Sequence, residues 1–193
     1  MADPRRVAVL ISGRGSNMQA LVEQADGYDV VLVASNKPEA QGLQWARSKG
    51  IRTWTLESRG VDREAWESAL AEVLSEHRIG TIALAGFMRI LSPAFVERWS
   101  GRIVNIHPSL LPKYRGLDTH ARVIEAGDAV AGCTVHLVTE ELDAGDVIAS
   151  AEVPVERDDT PESLAERVLG AEHQLYPRAL KEFVRRREQS SRN

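Results

Sequence analysis

Cysteine is nearly missing from this chain. Cys133 is the only one in 193 residues, which excludes an intrachain disulfide and a zinc site built on thiolates. Its apolar surroundings assign it to core packing. An excess of positive charge is also missing. The net charge of -4 argues against a general nucleic-acid-binding surface, although a local basic pocket for a small anion stays compatible with it. No long uncharged apolar segment occurs, and Met1–Arg6 lacks the apolar core of a signal peptide. These absences predict a cytoplasmic protein with no membrane partner. Internal repeats, low-complexity blocks and interdomain linkers are absent too, so residues 1–193 are expected to form one domain, with a frayed polar tail over about 185–193.

What is present is ordinary for a globular protein, with 43% apolar and 27% charged residues. Short apolar runs alternate with helical patterns through the first half, the signature of βαβ units on a parallel sheet. Val7–Ser12, Val30–Ser35, Thr81–Ala85 and Ile103–Ile106 are too continuously apolar for a sheet buried on one face only. Helices are expected over Asn17–Gln24, over Glu39–Ser48 with Gly50 as its C-terminal cap, and over Asp62–His77. The last has Ala65, Trp66, Ala69, Leu70, Val73 and Leu74 at three- and four-residue spacing. Cys133–Thr139 and Val147–Val155 read as strands added at a sheet edge, one of them antiparallel. Thr160–Pro161–Glu162 is a helix start. That helix should run toward Tyr176–Pro177, with a second segment continuing to about Arg187.

Two segments carry chemistry. Gly13–Arg14–Gly15–Ser16–Asn17 follows the first strand and opens the first helix, where glycines admit a ligand to the backbone and free amides attract an anion. A dinucleotide fingerprint would need glycine at Met18 and an acid near Asn36–Lys37, so a single phosphate fits better than a pyrophosphate. A purely structural turn capped by Ser16 is the bland alternative. In Asn105–Ile106–His107, the two polar side chains alternate onto one side of an extended backbone. They offer a neutral donor and a titratable one to a single reacting atom, as carbonyl chemistry requires. His107 alone would more often serve a loop; Asn105 beside it, at a central strand end, changes that balance.

Further segments stay open at this level. His120 is either a second site histidine or a helix-start residue, while His77, His136 and His173 read as structural. Any of Glu140, Glu141, Asp143 and Asp146 could reach His107, favouring its imidazolium, or the whole run is a solvated loop. Gly86–Leu91 could wall a flat heteroaromatic ligand or simply pack.

Taken together, Val7–Asn17, Leu84–Ser92, Asn105–Pro112, Glu141–Asp143 and Glu172–Pro177 resemble the folate-dependent phosphoribosylglycinamide formyltransferases of purine biosynthesis. The resemblance covers nearly the whole chain. It implies a Rossmann-like α/β fold: a mostly parallel sheet of about seven strands, an antiparallel strand toward one edge, and helices on both faces. It implies formyl transfer from 10-formyltetrahydrofolate, a co-substrate, to the amine of glycinamide ribonucleotide, without a metal. Asn105, His107 and Asp143 would be catalytic. Gly15, Ser16, Asn17 and Glu172 would bind the ribonucleotide. Arg63, Met88, Arg89, Ile90, Leu91, Asn105 and Thr139, Glu140, Glu141, Leu142 and Asp143 would bind the folate. Two residues depart from the pattern in the loop beside the catalytic group: Asp118 stands where many members have histidine, and Arg115 where some have proline. A monomer or weak homodimer is expected.

Related activities are weaker fits. A formyl-folate hydrolase is expected to carry a further domain, for which there is no room before Val7, and a tRNA formyltransferase a C-terminal RNA-binding domain. A non-catalytic dinucleotide module, with Lys37 meeting an NADP phosphate, suffers from the incomplete fingerprint.

Overall fold

The computed structural model describes residues 3–190. Its strands are β1 (Asp3–Ile11), β2 (Asp29–Ser35), β3 (Arg52–Thr55), β4 (Ile79–Leu84), β5 (Ile103–His107), β6 (Val130–Leu137) and β7 (Val147–Pro154). Its helices are α1 (Ser16–Glu23), α2 (Gln41–Ser48), α3 (Arg63–Glu76), α4 (Pro93–Arg98), α5 (Thr119–Ala126) and α6 (Pro161–Ser190). One sheet of seven strands runs in the order β3-β2-β1-β4-β5-β6-β7. All neighbours pair in parallel except β5–β6 and β6–β7, so β6 alone runs against the rest.

Strand alternation divides the core in two. Val7, Val9 and Ile11 face α1, α2 and α6, while Ala8 and Leu10 face α3 and α4. The chain winds outward from β1 through β2 to β3, then returns to β4 on the other side of β1. The reversal opens a crevice beyond the carboxyl ends of β1 and β4, where doubly wound sheets hold ligands. Behind that crevice the Tyr176 hydroxyl donates to the Leu84 carbonyl at 2.9 Å, with the Val104 carbonyl also close at 3.2 Å. The phenol thus ties α6 to β4 and β5.

The structure corrects four expectations. Strand β1 begins at Asp3 rather than Val7. Strand β3, reading Arg-Thr-Trp-Thr, has no apolar run because it is a short sheet edge. Helix α4 also escapes periodicity, being six residues long, yet it has proline in its first turn and Ser92 as a side-chain cap. Helix α6 passes Pro177 unbroken. Proline removes the N–H that the His173 carbonyl would accept, and Gln24 Nε2 donates to that carbonyl instead, at 3.0 Å.

The tail is also more ordered than expected. Residues 185–190 complete α6, because Arg187 donates to the Gly80 carbonyl at 2.6 Å and to Thr81 Oγ1 at 2.9 Å. Residues 191–193 lie outside the described residues.

Other expectations agree closely. Thr160 and Ser163 exchange side-chain and backbone hydrogen bonds at the start of α6. The Gly50 amide, in the left-handed region at φ +74°, closes α2 onto the Arg47 carbonyl. No helix among the described residues is long and apolar enough to cross a membrane.

Candidate active site

Strand β1 ends in a turn that leaves the head of α1 open. Gly15 takes φ +74°, and a Cβ there would meet Met18 Cε at 3.0 Å, so both conformation and space favour glycine. No side chain caps α1, which rules out Ser16 as the cap. Its first amides have no intrahelical acceptor and are available to an anion. One residue further, Asn17 Nδ2 donates to Glu172 Oε2 at 2.6 Å. This joins the first turn of α1 to the middle of α6. Both residues are buried, and Asn17 Oδ1 has no partner among the described residues.

Burial pushes the Glu172 carboxyl above the usual carboxylate range, and the Asn17 hydrogen bond only partly opposes this. A carboxyl raised in the fold adds stability below its unfolded value and loses it as pH rises through the folded value. Glu172→Gln keeps the shape and cannot ionise. Its melting temperature relative to the parent should therefore rise as the pH is raised above the ordinary carboxylate range. A pH-independent difference in thermal melts would contradict the burial of an ionisable group here.

The opposite wall is apolar. Ser12 Oγ donates to Asn36 Oδ1 at 2.6 Å and accepts from the Met88 amide at 2.8 Å, fixing the segment after β4 to the ends of β1 and β2. Met88 and Ile90 are then 70% and 67% exposed, and Leu142 is 54% exposed. Large apolar side chains left this open to water are the kind that a hydrophobic ligand covers. Leu91, in contrast, turns inward to the core beside α4, so its side chain is no part of this wall. Arg89 stacks over Trp66, 5.4 Å from the ring centroid, and donates to the Ser58 carbonyl at 3.2 Å.

Between these walls, β5 presents Asn105 and His107. The register pairs Asn105 with His136 across the antiparallel β6. His136 Nδ1 lies 2.8 Å from the Leu137 carbonyl, an acceptor only, so the proton sits on Nδ1. Its Nε2 lone pair therefore accepts from Asn105 Nδ2 at 3.2 Å. This orients the amide and leaves the second N–H of Asn105 directed elsewhere. Burial, the largest effect, and the charge of His107 hold the His136 ring below its ordinary range, against the Leu137 hydrogen bond and Asp143. The neutral ring is consistent with that bond, and its 3.6 Å approach to Asp143 Oδ1 is proximity rather than an ion pair.

His107 has acceptors on both sides. Nε2 meets the Tyr114 carbonyl at 2.9 Å, and Nδ1 faces Asp143 Oδ2 at 3.4 Å. Both contacts are satisfied together only when both nitrogens carry protons. Asp143, in the left-handed region at φ 49°, is anchored by the Gly116 amide on Oδ2 at 3.0 Å. Gly145 helps to set this loop, because a Cβ there would run into the Leu137 carbonyl. Of the four acids in the loop, Asp143 is the one that reaches His107.

The remaining residues fall into place less centrally. Thr139 Oγ1 donates to the Glu141 carbonyl at 3.1 Å, while Glu140 is exposed. Glu141 receives Arg115 Nη1 at 2.6 Å, clasping the acidic loop to the loop after β5. Asp118 adopts φ 56° at the head of α5 without capping it. His120 is a helix-start residue and also a neighbour of His107. Burial and then the charge of His107 hold its ring below the ordinary range. Arg63 is exposed at the head of α3 and, among the described residues, forms no side-chain hydrogen bond or ion pair. His136 and the Tyr114 carbonyl were not foreseen as parts of the site. The alternation Thr134, His136 against Cys133, Val135 gave a face for His136, but not the strand it would pair with. Cys133 is packing, its thiol pushed up to about 12 chiefly by burial. Among the described residues no group of three or more His, Cys, Asp or Glu could hold a metal ion.

Residues 5–180 match the formyl transferase family. The chain is 46% identical over 183 residues to the phosphoribosylglycinamide formyltransferase of Escherichia coli (strain K12), covering 92% of this chain and 86% of that protein. It is 49% identical over 180 residues to the trifunctional purine biosynthetic protein adenosine-3 of Bos taurus, covering 91% of this chain. The chain spans 18% of that relative's length. The crystal structure of phosphoribosylglycinamide formyltransferase from Brucella melitensis superposes with a TM-score of 0.89 at 49% identity, covering 93% of this chain and 95% of that one.

Proposed function

Given that the chain belongs to the formyl transferase family, we propose that it moves a formyl group from 10-formyltetrahydrofolate to the amine of glycinamide ribonucleotide. The observation that carries this is the convergence of Asn105, His107 and Asp143 between an uncapped helix head and an exposed apolar wall. The first amides of α1, at Gly15, Ser16 and Asn17, take the ribonucleotide phosphate, and Glu172 orients its glycinamide arm. Met88, Ile90 and Leu142 take the folate rings, assisted by the backbone from Arg89 to Leu91 and from Thr139 to Asp143. Arg63 is kept for the outer, acidic end of the folate.

In the reaction the amine nitrogen bonds to the formyl carbon, and the bond from that carbon to the folate nitrogen breaks. Negative charge gathers on the formyl oxygen between these events. The free N–H of Asn105 and the Nδ1–H of His107 stabilise it. Nδ1 is the nitrogen suited to this role, because its 3.4 Å contact with Asp143 is long while Nε2 is held at 2.9 Å by the Tyr114 carbonyl. The amine loses one proton and the folate nitrogen gains one, with Asp143 relaying it through water. His136 positions the Asn105 amide and touches neither substrate. No step requires a metal or a covalent enzyme intermediate.

Purified protein mixed with both substrates should yield tetrahydrofolate and the formylated ribonucleotide in equal amounts. Folded protein that gives no turnover would refute the proposal. Formate released without ribonucleotide would point to a hydrolase instead.

A further inference from the structure

The opposite end of the sheet carries a second concave feature. Arg78 precedes β4, Arg102 precedes β5, and Arg98 ends α4. Together with Ser75 and Trp99 they line a cavity of about 360 Å³. Six residues of β4 separate it from the crevice at the other strand ends, roughly 17 Å of extended chain. The two features therefore do not share ligand contacts.

Three guanidiniums around one cavity repel one another, and none has a carboxylate partner among the described residues. The fold nevertheless fixes one guanidinium and the backbone of another. Arg102 stacks on Trp99, 4.5 Å from its ring centroid, and donates to the Arg98 carbonyl. Arg78 occupies the left-handed region at φ 52°, rare for a residue with a side chain. Burial, and then the charge of Arg98, hold the Arg102 guanidinium below its usual range, a penalty that an anion would relieve. Trp99 adds an independent observation. It is only 6% exposed, and its indole N–H is buried without an acceptor among the described residues. A buried donor without an acceptor is uncommon and costly, and this one belongs to a residue that lines the cavity.

We propose that this cavity is a binding site for a small polyphosphate anion, of the size and charge of pyrophosphate. Three positive charges match the roughly threefold charge of that anion, and arginine forks suit phosphate oxygens. Three guanidiniums around one cavity favour two linked phosphates over one.

Pyrophosphate is titrated into the full chain labelled with ¹⁵N, and the Trp99 indole resonance is followed alongside the Gly15–Asn17 amides. The two groups report separately on the cavity and on the head of α1, whatever reaction the protein catalyses. The Trp99 resonance should shift and saturate, more tightly with pyrophosphate than with phosphate or sulfate. Arg78→Asn combined with Arg98→Gln, both exposed positions, should weaken that binding about tenfold or more. The Gly15–Asn17 response should be unchanged, as should the turnover measured without pyrophosphate. Shifts confined to Gly15–Asn17, or an affinity insensitive to the double variant, would overturn the proposal. A response equal for sulfate and pyrophosphate would mark an adventitious ion only, and would overturn it equally.

Discussion

Asn105→Ala should lower kcat on the order of 10²- to 10³-fold, the usual cost of removing one oxyanion donor. Ribonucleotide affinity should stay nearly constant, because the proposed seat of that substrate, the Asn17–Glu172 pair and the amides of α1, lies on other elements. Asn105→Asp is the sharper comparison. It preserves shape but replaces a donor with an acceptor and adds negative charge beside the developing oxyanion, so it should be at least as slow. Binding by calorimetry together with single-turnover rates separates the two effects. A fall in affinity that accounts for the whole loss would remove Asn105 from the chemistry. His136 provides a second check on the same group. His136→Ala frees the Asn105 amide to rotate and should cost about tenfold or more in kcat. His136→Gln returns an acceptor for Asn105 Nδ2 and should recover part of the loss. A role confined to packing would predict no such recovery at equal stability.

Trp66→Ala should cost about 3–5 kcal/mol in urea unfolding, the range for deleting a large buried aromatic side chain. Trp66 is fully buried, donates to the Leu56 carbonyl at 2.8 Å, and stacks on Phe87 at 5.8 Å between ring centroids. Arg89 lies over its ring, so the side chain supports the segment that carries Met88 and Ile90. In variants that stay folded, KM for the formyl donor should therefore rise more than KM for the ribonucleotide. Trp66→Phe keeps a ring but loses the indole hydrogen bond. It should be milder on both counts and is the variant to use if the alanine does not fold. A loss below about 1 kcal/mol for Trp66→Ala would mean that the pocket is not rigidly packed.

Much of this architecture is local and therefore legible in the chain. Apolar runs marked the central strands because a sheet covered on both faces buries every side chain. The three- and four-residue spacing through Trp66 and Leu70 marked α3, which Asp62 caps by accepting from the amides of Glu64 and Ala65. Gly13–Asn17 and Asn105–His107 were visible because each places its groups within a few residues of one another. Strand β3 escaped because an edge strand needs no apolar run. The passage of α6 through Pro177 escaped because the donor that satisfies the freed carbonyl belongs to a different helix.

By itself, then, the sequence determined the fold class, the glycine turn that opens α1 and the Asn–His pair on β5, all consequences of patterns within a few residues. Only the tertiary structure decided which acid meets His107, which ring fixes the Asn105 amide, and which carbonyl occupies Nε2. Those partners lie between 7 and 36 residues away along the chain. Their meeting depends on the register between β5 and β6 and on the path of two loops, which no short-range pattern encodes. The arginine cavity has the same origin. Arg98 and Arg102 flank the short connection from α4 to β5, Arg78 lies just before β4, and their charges met there because the core fixed the backbones that carry them.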